Sequence, residues 1–289
     1  MSDTKDTELK TETPMFSGRV LVAEDIEGNQ QLIEVLLSML GVEVVVAKDG
    51  SQAVEKALSE SFDLILMDMQ MPYMNGYEAT LMLREQGYTT PIVAVTAHAM
   101  KGDEQKCIDA GCDGYLSKPI NRRELPCLLA QYLPTVQDAT PENEVPVPEQ
   151  TCEPQPLSPE QTSCSAPDKA DADDTIDWNR LIEEWGGKDI VSSALSTYFN
   201  DIVENYDSLS QAVQTGHCES IALRAHALKG VGRNLYIESL VNVAGQMEKA
   251  GRANDVEASA LHFRDVKTQT EKIIAALSQC DWIETPQMV

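Results

Sequence analysis

Three acidic side chains, one hydroxyl and one ammonium follow the ends of strand-like runs in the first half of the chain. Glu24 and Asp25 come directly after RVLVA, and Asp68 follows FDLILM. Thr96 ends the run PIVAVT, and Lys118 follows DGYLS. Because the carboxyl ends of parallel strands form the ligand-binding edge of an open α/β sheet, we expect these five side chains to converge at that edge.

Such a set favours phosphoryl chemistry that depends on a metal ion. Converging carboxylates form a hard-oxygen site suited to Mg²⁺, an ion that usually keeps several waters and takes one or two protein carboxylates. A divalent cation would screen the repulsion between a carboxylate nucleophile and an anionic phosphoryl donor. Lys118 would neutralise a second phosphoryl oxygen, and Thr96 would donate a hydrogen bond to a third. In-line transfer needs mainly this positioning and charge compensation.

A histidine in the second half of the chain has surroundings that also fit phosphate. Within IALRAHALKGVGRNL, helical spacing places Ala222, Lys229 and Gly230 on the face of His226, with Arg233 one turn further. Small neighbours leave the ring open, and the two cations would attract a phosphoryl group. Neutral imidazole is a competent nucleophile near physiological pH. No carboxylate lies three or four positions away, so we expect this helix to carry phosphate rather than to hydrolyse it.

The elements that must position the acidic residues alternate regularly between about Arg19 and Leu133. Apolar, β-branched runs are separated by stretches of helical period. Strands that are apolar throughout are typical of a parallel sheet covered by helices on both faces. We therefore predict an α/β doubly wound, flavodoxin-like domain with a five-stranded parallel sheet over residues 17–134.

The rest of the chain divides into a linker and an all-α domain. Residues 135–174 are acidic, hold half of the chain's 14 prolines and have few large apolar side chains, which predicts a semi-extended linker. Residues 175–281 have helical periodicity throughout and predict an antiparallel bundle. Its expected helices cover about 190–214, 218–232, 237–250 and 255–279. Residues 1–16 are predicted to be a disordered leader, and residues 282–289 a tail.

The composition excludes some classes of function. The formal net charge of -25 opposes a nucleic-acid-binding role. No apolar run approaches the roughly 20 residues that span a bilayer, and the N-terminus has no signal-peptide pattern. The seven cysteines show no metal-binding spacing and are interpreted as reduced thiols. These features favour a soluble, cytoplasmic protein without membrane insertion.

The first domain resembles the receiver domains of bacterial two-component response regulators. The resemblance rests on four motifs in order, VAEDIEGN, LMDMQMPYMNGYEAT, IVAVTAHA and GYLSKPI. It implies that Asp68 is the phosphoacceptor and that Asp25 is a direct Mg²⁺ ligand. Glu24 would bind the ion through water, and the backbone carbonyl of Gln70 would complete the site.

The same resemblance implies further roles. Thr96 and Tyr115 match the hydroxyl and aromatic switch pair whose rearrangement reports phosphorylation. The Lys118–Pro119 bond is expected to be cis, which would aim the lysine inward. Gln70 and His98 match variable positions that tune the lifetime of the phosphoryl group, although both could equally be plain surface residues.

The second domain resembles the histidine phosphotransfer domains of multistep relays. The motif H-A-L-K-G and the downstream Met247–Glu248 carry this resemblance over about residues 176–280, and they imply that His226 is the phosphocarrier, with Lys229 beside it. One position departs from the family pattern, because Tyr236 stands where a glycine is usual. The alternative interpretation is that His226 is an ordinary surface histidine on a helical bundle that only binds partner proteins. The remaining histidines are interpreted as structural or incidental: His98, His217 and His262.

Together the two resemblances predict a phosphorelay protein. Phosphate would pass from a sensor histidine kinase to Asp68, then to His226, then to a separate response regulator, or flow in reverse. No G-x-x-x-x-G-K-[ST] occurs, so the chain is interpreted as a phosphoryl carrier without ATP-dependent kinase activity, limited to self-catalysed transfer and dephosphorylation.

Alternative interpretations remain open at this point. The chain could be the C-terminal part of a hybrid sensor kinase, although its initial Met and polar leader favour a separate protein. It could also be a scaffold that binds partners without chemistry. A flavodoxin-like redox protein fits the first fold but not its acidic edge.

Overall fold

The computed structural model describes residues 15–96, 101–120, 122–136 and 176–280. These residues form a sheet domain (residues 15–136) and a bundle domain (residues 176–280). Within the described ranges, no helix combines the length and the apolar character that a membrane span requires.

The sheet domain contains a five-stranded parallel sheet in the order β2-β1-β3-β4-β5. Its strands are β1 (Arg19–Ala23), β2 (Glu43–Ala47), β3 (Leu64–Asp68), β4 (Ile92–Thr96) and β5 (Gly114–Ser117). In β1 and β3, Ala23 pairs with Met67, so the next residue of each segment, Glu24 after β1 and Asp68 at the end of β3, lies at the same edge of the sheet. The predicted doubly wound fold is confirmed, and the order reverses beside β1, where such sheets bind their ligands.

Helices cover both faces of this sheet, as parallel strands require. They are α1 (Glu27–Met39), α2 (Gly50–Ser59), α3 (Gly76–Glu85), α4 (Lys101–Ala110) and α5 (Glu124–Tyr132). Alternate residues of each strand pack on opposite faces. Val20 and Val22 join α1 and α5 in one apolar cluster, whereas Leu21 and Ala23 pack with α2, α3 and α4 in the other.

The sheet domain extends beyond its predicted limits at both ends. Phe16, placed in the leader by the sequence, is buried, donates a backbone hydrogen bond to Leu40 (2.8 Å) and bridges to Thr135. The linker was predicted to begin at Thr135, but Val136 also donates to the Met15 carbonyl (2.9 Å). A large apolar side chain beside the end of α1 gains from burial, which explains the difference. The remaining predicted leader, linker and tail lie outside the described residues.

The bundle domain consists of a short helix and four longer ones. They are α6 (Trp178–Trp185), α7 (Lys188–Thr215), α8 (Cys218–Asn234), α9 (Glu238–Arg252) and α10 (Val256–Ser278). The four predicted helices correspond to α7 to α10, while α6 is an addition. Helices α7, α8, α9 and α10 pack on one another around a buried cluster that includes Leu209, Leu228 and Met247.

The two domains pack directly against each other. Helix α1 of the sheet domain lies on α7 and also contacts α8. One contiguous cluster of buried apolar side chains crosses this boundary and includes Ile26, Tyr198 and Ala227. The packing places the carboxyl edge of the sheet next to α8, the helix that carries His226.

Candidate functional site

The acidic residues predicted from the sequence meet at the end of β1 and β3; we call them the acidic rim (Glu24, Asp25 and Asp68). One oxygen from each of the three carboxylates lies within 4.8 Å of the others. Glu24 is fully buried, and Asp68 is 4% exposed. Lys118, which follows β5, donates to Glu24 Oε2 and to Asp68 Oδ2 at 2.6 Å each.

The acidic rim carries more negative charge than its surroundings compensate, because its carboxylates are buried and repel one another. Burial raises the pKa of Asp25 well above its ordinary value, and the charges of Glu24 and Asp68 add to the effect. Burial likewise raises the pKa of Glu24. Burial opposes the charge of Lys118, but Asp68 and Glu24 outweigh it and raise the pKa of the ammonium. One lysine therefore balances only part of the negative charge.

The donor set of the acidic rim fits a hard divalent cation. Asp25 Oδ1 is buried, and none of the described residues forms a hydrogen bond with it. A buried carboxylate oxygen without a donor needs a compensating charge. Oxygen ligands of this kind are those that Mg²⁺ takes in proteins. Glu24 is less available, because its oxygens accept from Lys118 (2.6 Å) and Asn29 (2.7 Å).

The other predicted rim residues have distinct positions. The Gln70 backbone N–H donates to Asp68 Oδ1 at 2.9 Å. Thr96 is buried at the end of β4, whereas Tyr115 on β5 is 45% exposed. The Lys118–Pro119 bond is cis, as the resemblance implied. His98 lies outside the described residues.

A second charged cluster surrounds His226 on α8; we call it the histidine face (His226, Lys229, Glu248 and Arg252). The His226 ring is 2.9 Å from Glu248, measured from Nδ1 to Oε1. Lys229 Nζ donates to Glu248 Oε2 at 2.9 Å, and Arg252 Nη2 donates to Oε1 at 2.8 Å. A carboxylate thus adjoins the histidine after all, but it comes from α9 rather than from the same helix.

Glu248 fixes which imidazole nitrogen can react. Burial opposes its charge, but the hydrogen bonds from His226 and Lys229, together with the positive charge of Lys229, hold the pKa of Glu248 well below its ordinary value. An ionised carboxylate only accepts hydrogen bonds, so we assign the ring proton to Nδ1 of His226. In the neutral ring the unprotonated nitrogen is then Nε2, whose lone pair is chemically able to act as a nucleophile.

The domain packing brings the acidic rim and the histidine face together. Asp68 and His226 line one small cavity of about 20 Å³. A cation from each domain lies in its wall, Lys118 from the sheet domain and Arg233 from the bundle domain. Burial lowers the pKa of Arg233, although the negative charge of Asp68 works against that shift. With Asp25 also in its wall, the cavity thus joins two carboxylates, an imidazole and two positive charges.

A wider cleft gives His226 a second opening. It has a volume of about 690 Å³ and lies between the loop after β3 and helices α8 and α9. Met71 and Tyr73 line it on the sheet side, and Leu223 and Asn254 on the bundle side. The histidine is therefore reached both from the acidic rim and from this cleft.

A buried chain of polar groups connects the rim to the bundle domain. Asn29 Nδ2 donates to Glu24 Oε1 at 2.7 Å, and Asn29 Oδ1 accepts from the Tyr198 hydroxyl at 2.8 Å. Asn234 Nδ2 donates to the same asparagine oxygen and to the Tyr198 hydroxyl. Sequence reasoning missed Asn29, Tyr198 and Asn234, because only the domain packing brings them together.

The turn after α8 forms without the glycine that is usual in the family. Tyr236 adopts a left-handed backbone with φ of 57°. Its N–H donates to the Arg233 carbonyl (3.1 Å), and the Arg180 guanidinium lies over its ring, 4.2 Å from the centroid. The substitution therefore leaves the histidine helix intact. His217, interpreted as structural, accepts the Ser220 N–H at the start of α8.

Comparison with known protein families matches both domains. Residues 20–130 match the family described as "Response regulator receiver domain", and residues 193–280 match the family described as "Hpt domain".

Individual relatives agree with this division. The chain is 28% identical over 267 residues to "Signal transduction histidine-protein kinase BarA" of Escherichia coli (strain K12), which covers 88% of this chain and 27% of that protein. It is 48% identical over 120 residues to "Hybrid signal transduction histidine kinase I" of Dictyostelium discoideum, covering 38% of this chain and 7% of the relative. The chain thus spans only a minor part of the relatives it matches.

A solved structure matches the first domain. It is the receiver domain of sensor histidine kinase PA1611 from Pseudomonas aeruginosa PAO1, with a magnesium ion coordinated in its active-site cleft. The identity is 42%, the match covers 40% of this chain and 97% of that one, and the TM-score is 0.38. From these two family matches, in the order found along the sequence, the sheet domain is a response regulator receiver domain and the bundle domain is an Hpt domain, the two kinds of domain that phosphorelay signalling combines.

Proposed function

We propose that this chain is a phosphoryl carrier that exchanges one phosphoryl group between Asp68 and His226 within a single molecule. The observation that carries the proposal is the small cavity lined by both side chains. A reacting pair held in one cavity converts a bimolecular transfer into a unimolecular one. The donor to Asp68 is the phosphohistidine of a sensor kinase, and the group passes through His226 to or from a response regulator.

The first step is acceptance of the phosphoryl group by Asp68. A bound Mg²⁺ ion, held by Asp25 and Asp68 with the Gln70 carbonyl and water-bridged Glu24, would neutralise charge on the phosphoryl oxygens. Lys118 already contacts Asp68 Oδ2 and is placed to compensate a second oxygen. The Gln70 N–H holds Asp68 Oδ1, which orients the carboxylate. Thr96 and Tyr115 would report the phosphorylated state to the surface, as in the family.

The second step moves the group across the cavity. The bond between phosphorus and an Asp68 oxygen breaks, its electron pair returns to the carboxylate, and a bond forms from phosphorus to Nε2 of His226. The Nδ1 proton stays between His226 and Glu248, and the Glu248 carboxylate balances the positive charge of the phosphorylated ring. Lys118 and Arg233 stabilise the charge in transit from opposite domains. Reversal of these events gives the opposite flow.

The proposed partners follow from this role. A sensor kinase supplies phosphohistidine, and a separate response regulator supplies a second aspartate. The chain acts as a carrier in the cytoplasm and does not use ATP itself.

Labelling with acetyl phosphate and Mg²⁺ tests the proposal. In the full chain, we expect a base-labile label on Asp68 followed by an acid-labile label on His226. Asp68→Asn should remove both labels, and His226→Gln should remove only the second. Persistent labelling of His226 in the Asp68→Asn variant would rule out the route.

A mixing experiment tests whether the transfer is intramolecular. Wild-type transfer should be first order, with a rate constant that does not change on tenfold dilution. Mixing Asp68→Asn chains with His226→Gln chains leaves only transfer between molecules, which should be slower and proportional to concentration. Equal rates in the mixture and in the wild type would contradict the intramolecular proposal.

A further inference from the structure

The first helix of the receiver begins without a cap of its own. Its N-cap residue, Ile26, has an extended backbone and no side chain that could accept a hydrogen bond. The first N–H groups of a helix have no partner within the helix. Here the Gly28 N–H donates to Asp201 Oδ2 at 2.7 Å, and Asp201 belongs to α7 of the Hpt domain. The second domain therefore caps a helix of the first.

The capping carboxylate is built into the interface. Asp201 is 9% exposed, so it is largely removed from water. Burial raises its pKa to about 6, which leaves the carboxylate ionised at neutral pH. A negative charge at the start of a helix is favourable, because it opposes the positive end of the helix dipole.

Position 28 accommodates a glycine because there is no room for a side chain, not because the backbone conformation demands glycine. A Cβ atom at this position would lie 2.7 Å from Cδ1 of Tyr198 and 2.8 Å from Cε1. The Tyr198 ring cannot move aside easily, because it is fully buried, packs beside Trp185 and has its hydroxyl bonded to Asn29. The notch at Gly28 is thus filled by one aromatic side chain of the Hpt domain.

The Hpt domain has a reciprocal notch. A Cβ atom on Gly230 of α8 would lie 2.5 Å from Cδ1 of Ile26. Each domain therefore contributes one glycine and one large side chain to the contact. Both notches lie within one turn of the start of α1, directly beside the residues that follow β1.

We infer that Tyr198 and Asp201 form a selection contact, which admits a receiver domain only when the second residue of its first helix is a glycine with an available N–H. The receiver of this chain satisfies the contact, and a second receiver that docks on the same Hpt face must satisfy it too. A larger residue at that position meets the Tyr198 ring. The inference rests on the proposed transfer between Asp68 and His226, and it assigns partner selection to residues outside both charge clusters.

Gly28→Ala in the full chain tests the steric half of the contact. Alanine favours the helical conformation, so α1 itself should not be weakened. We expect Asp68 to accept phosphate from acetyl phosphate as before, while the first-order transfer to His226 slows at least tenfold. Ser38→Ala, on an exposed site of the same helix, is the matched control and should leave transfer unchanged.

Asp201→Ala and Asp201→Asn test the capping half. Asparagine keeps an oxygen that can accept from the Gly28 N–H, so Asp201→Asn should retain most of the transfer rate, whereas Asp201→Ala should lose several-fold. Asp207→Ala removes a carboxylate from an exposed site of the same helix and serves as the charge control.

Hydrogen exchange at the Gly28 amide gives a readout that does not depend on phosphate. The amide should be protected in the wild type and in Asp201→Asn, and it should exchange faster in Asp201→Ala. Unchanged protection together with wild-type transfer in Gly28→Ala and Asp201→Ala would overturn the inference. If the wild type transfers no phosphate at all, the proposed function fails, while the exchange experiment still decides whether the contact exists.

Discussion

The acidic rim gathers three carboxylates around one ammonium, whereas the histidine face gathers three positive or proton-donating groups around one carboxylate. In the acidic rim, Lys118 contacts two carboxylates and Asp25 Oδ1 keeps no donor among the described residues. In the histidine face, Glu248 accepts from His226, Lys229 and Arg252. The first site therefore has an excess of negative charge that fits an added cation, and the charge of the second is balanced by its own residues.

Removal of divalent cations should separate the two sites most strongly. With excess chelator, we expect labelling of Asp68 by acetyl phosphate to fall about 100-fold or more, since charge stabilisation at the acceptor is lost. A chain already labelled at His226 and then stripped of metal should keep that label. The single carboxylate of the histidine face, Glu248, is already paired with the side chains around it, so this face does not depend on a metal ion. The measurement is the base-labile and acid-labile phosphate at each stage.

Its control is the Asp68→Asn chain, which should show no base-labile label with or without metal. Rapid loss of the acid-labile label on chelation would contradict the view that the histidine face is electrostatically complete.

Much of this contrast could be predicted from the sequence. Apolar strand runs locate the carboxyl edge of the sheet, so Glu24, Asp25 and Asp68 are expected together without any coordinates. The partner of His226 is different, because Glu248 lies on the next helix and only the pairing of α8 with α9 brings it close. Helical spacing within α8 alone contains no such information.

The interface is the least predictable part of the fold. Gly28 and Tyr198 are far apart in the sequence, and although Tyr198 lies on the apolar stripe of α7, helical period does not indicate which element packs on that stripe. Phe16 was missed because two adjacent apolar residues, Met15 and Phe16, after a polar segment give no periodic signal. Local patterns thus predict elements and sites on one element, and they fail where two elements that are distant in the chain supply the partners.

Replacing Glu248 should weaken the histidine face in a graded way. Glu248→Gln removes the charge that balances a phosphorylated ring and loosens the contact that orients Nδ1. Orienting partners of metal-bound histidines are worth about 10–100-fold, and we expect a loss of that order in the rate of transfer to His226. Glu257→Gln, in the first turn of α10, is the control and should transfer normally. A normal transfer rate in Glu248→Gln would show that the ring needs no partner.

The same variant has a signature in the pH dependence of stability. The pKa of Glu248 is lowered in the folded state, so its stabilising contribution is present above the ordinary pKa of about 4.3. The contribution is lost as the pH falls through the lowered value. The difference in the free energy of unfolding between the wild type and Glu248→Gln should therefore be constant near neutrality and shrink below about pH 4. A difference that grows as the pH falls would show that the folded state raises the pKa of Glu248 instead of lowering it.

Removing one carboxylate from the acidic rim should change stability by a smaller amount than replacing Glu248, and it should stabilise the metal-free protein rather than destabilise it. Asp25→Asn relieves repulsion among the carboxylates, so the metal-free chain should melt about 2–4 °C higher. Added Mg²⁺ should raise the melting temperature of the wild type but not that of the variant. Glu55→Gln, an exposed change on α2, is the matched control for the loss of one charge. A variant that melts lower without metal would show that the carboxylates are already compensated.

The smallest expected effect lies outside both charge clusters, at the stacking of Arg180 on Tyr236. The guanidinium is 4.2 Å from the ring centroid, and Arg180 is exposed, so its loss in Arg180→Ala should cost about 0.5–1 kcal/mol of unfolding free energy. A double-mutant cycle with Tyr236→Leu isolates the stacking energy. Any strain that leucine suffers in the left-handed backbone at residue 236 is present in both the single variant Tyr236→Leu and the double variant, so it cancels in the coupling energy. Transfer to His226 should be unchanged in Arg180→Ala, since neither residue contacts the histidine face. A coupling energy near zero would show that stacking on Arg180 is not what stabilises a tyrosine in this turn. Slower phosphoryl transfer to His226 in Arg180→Ala would show that the turn and the histidine face are linked.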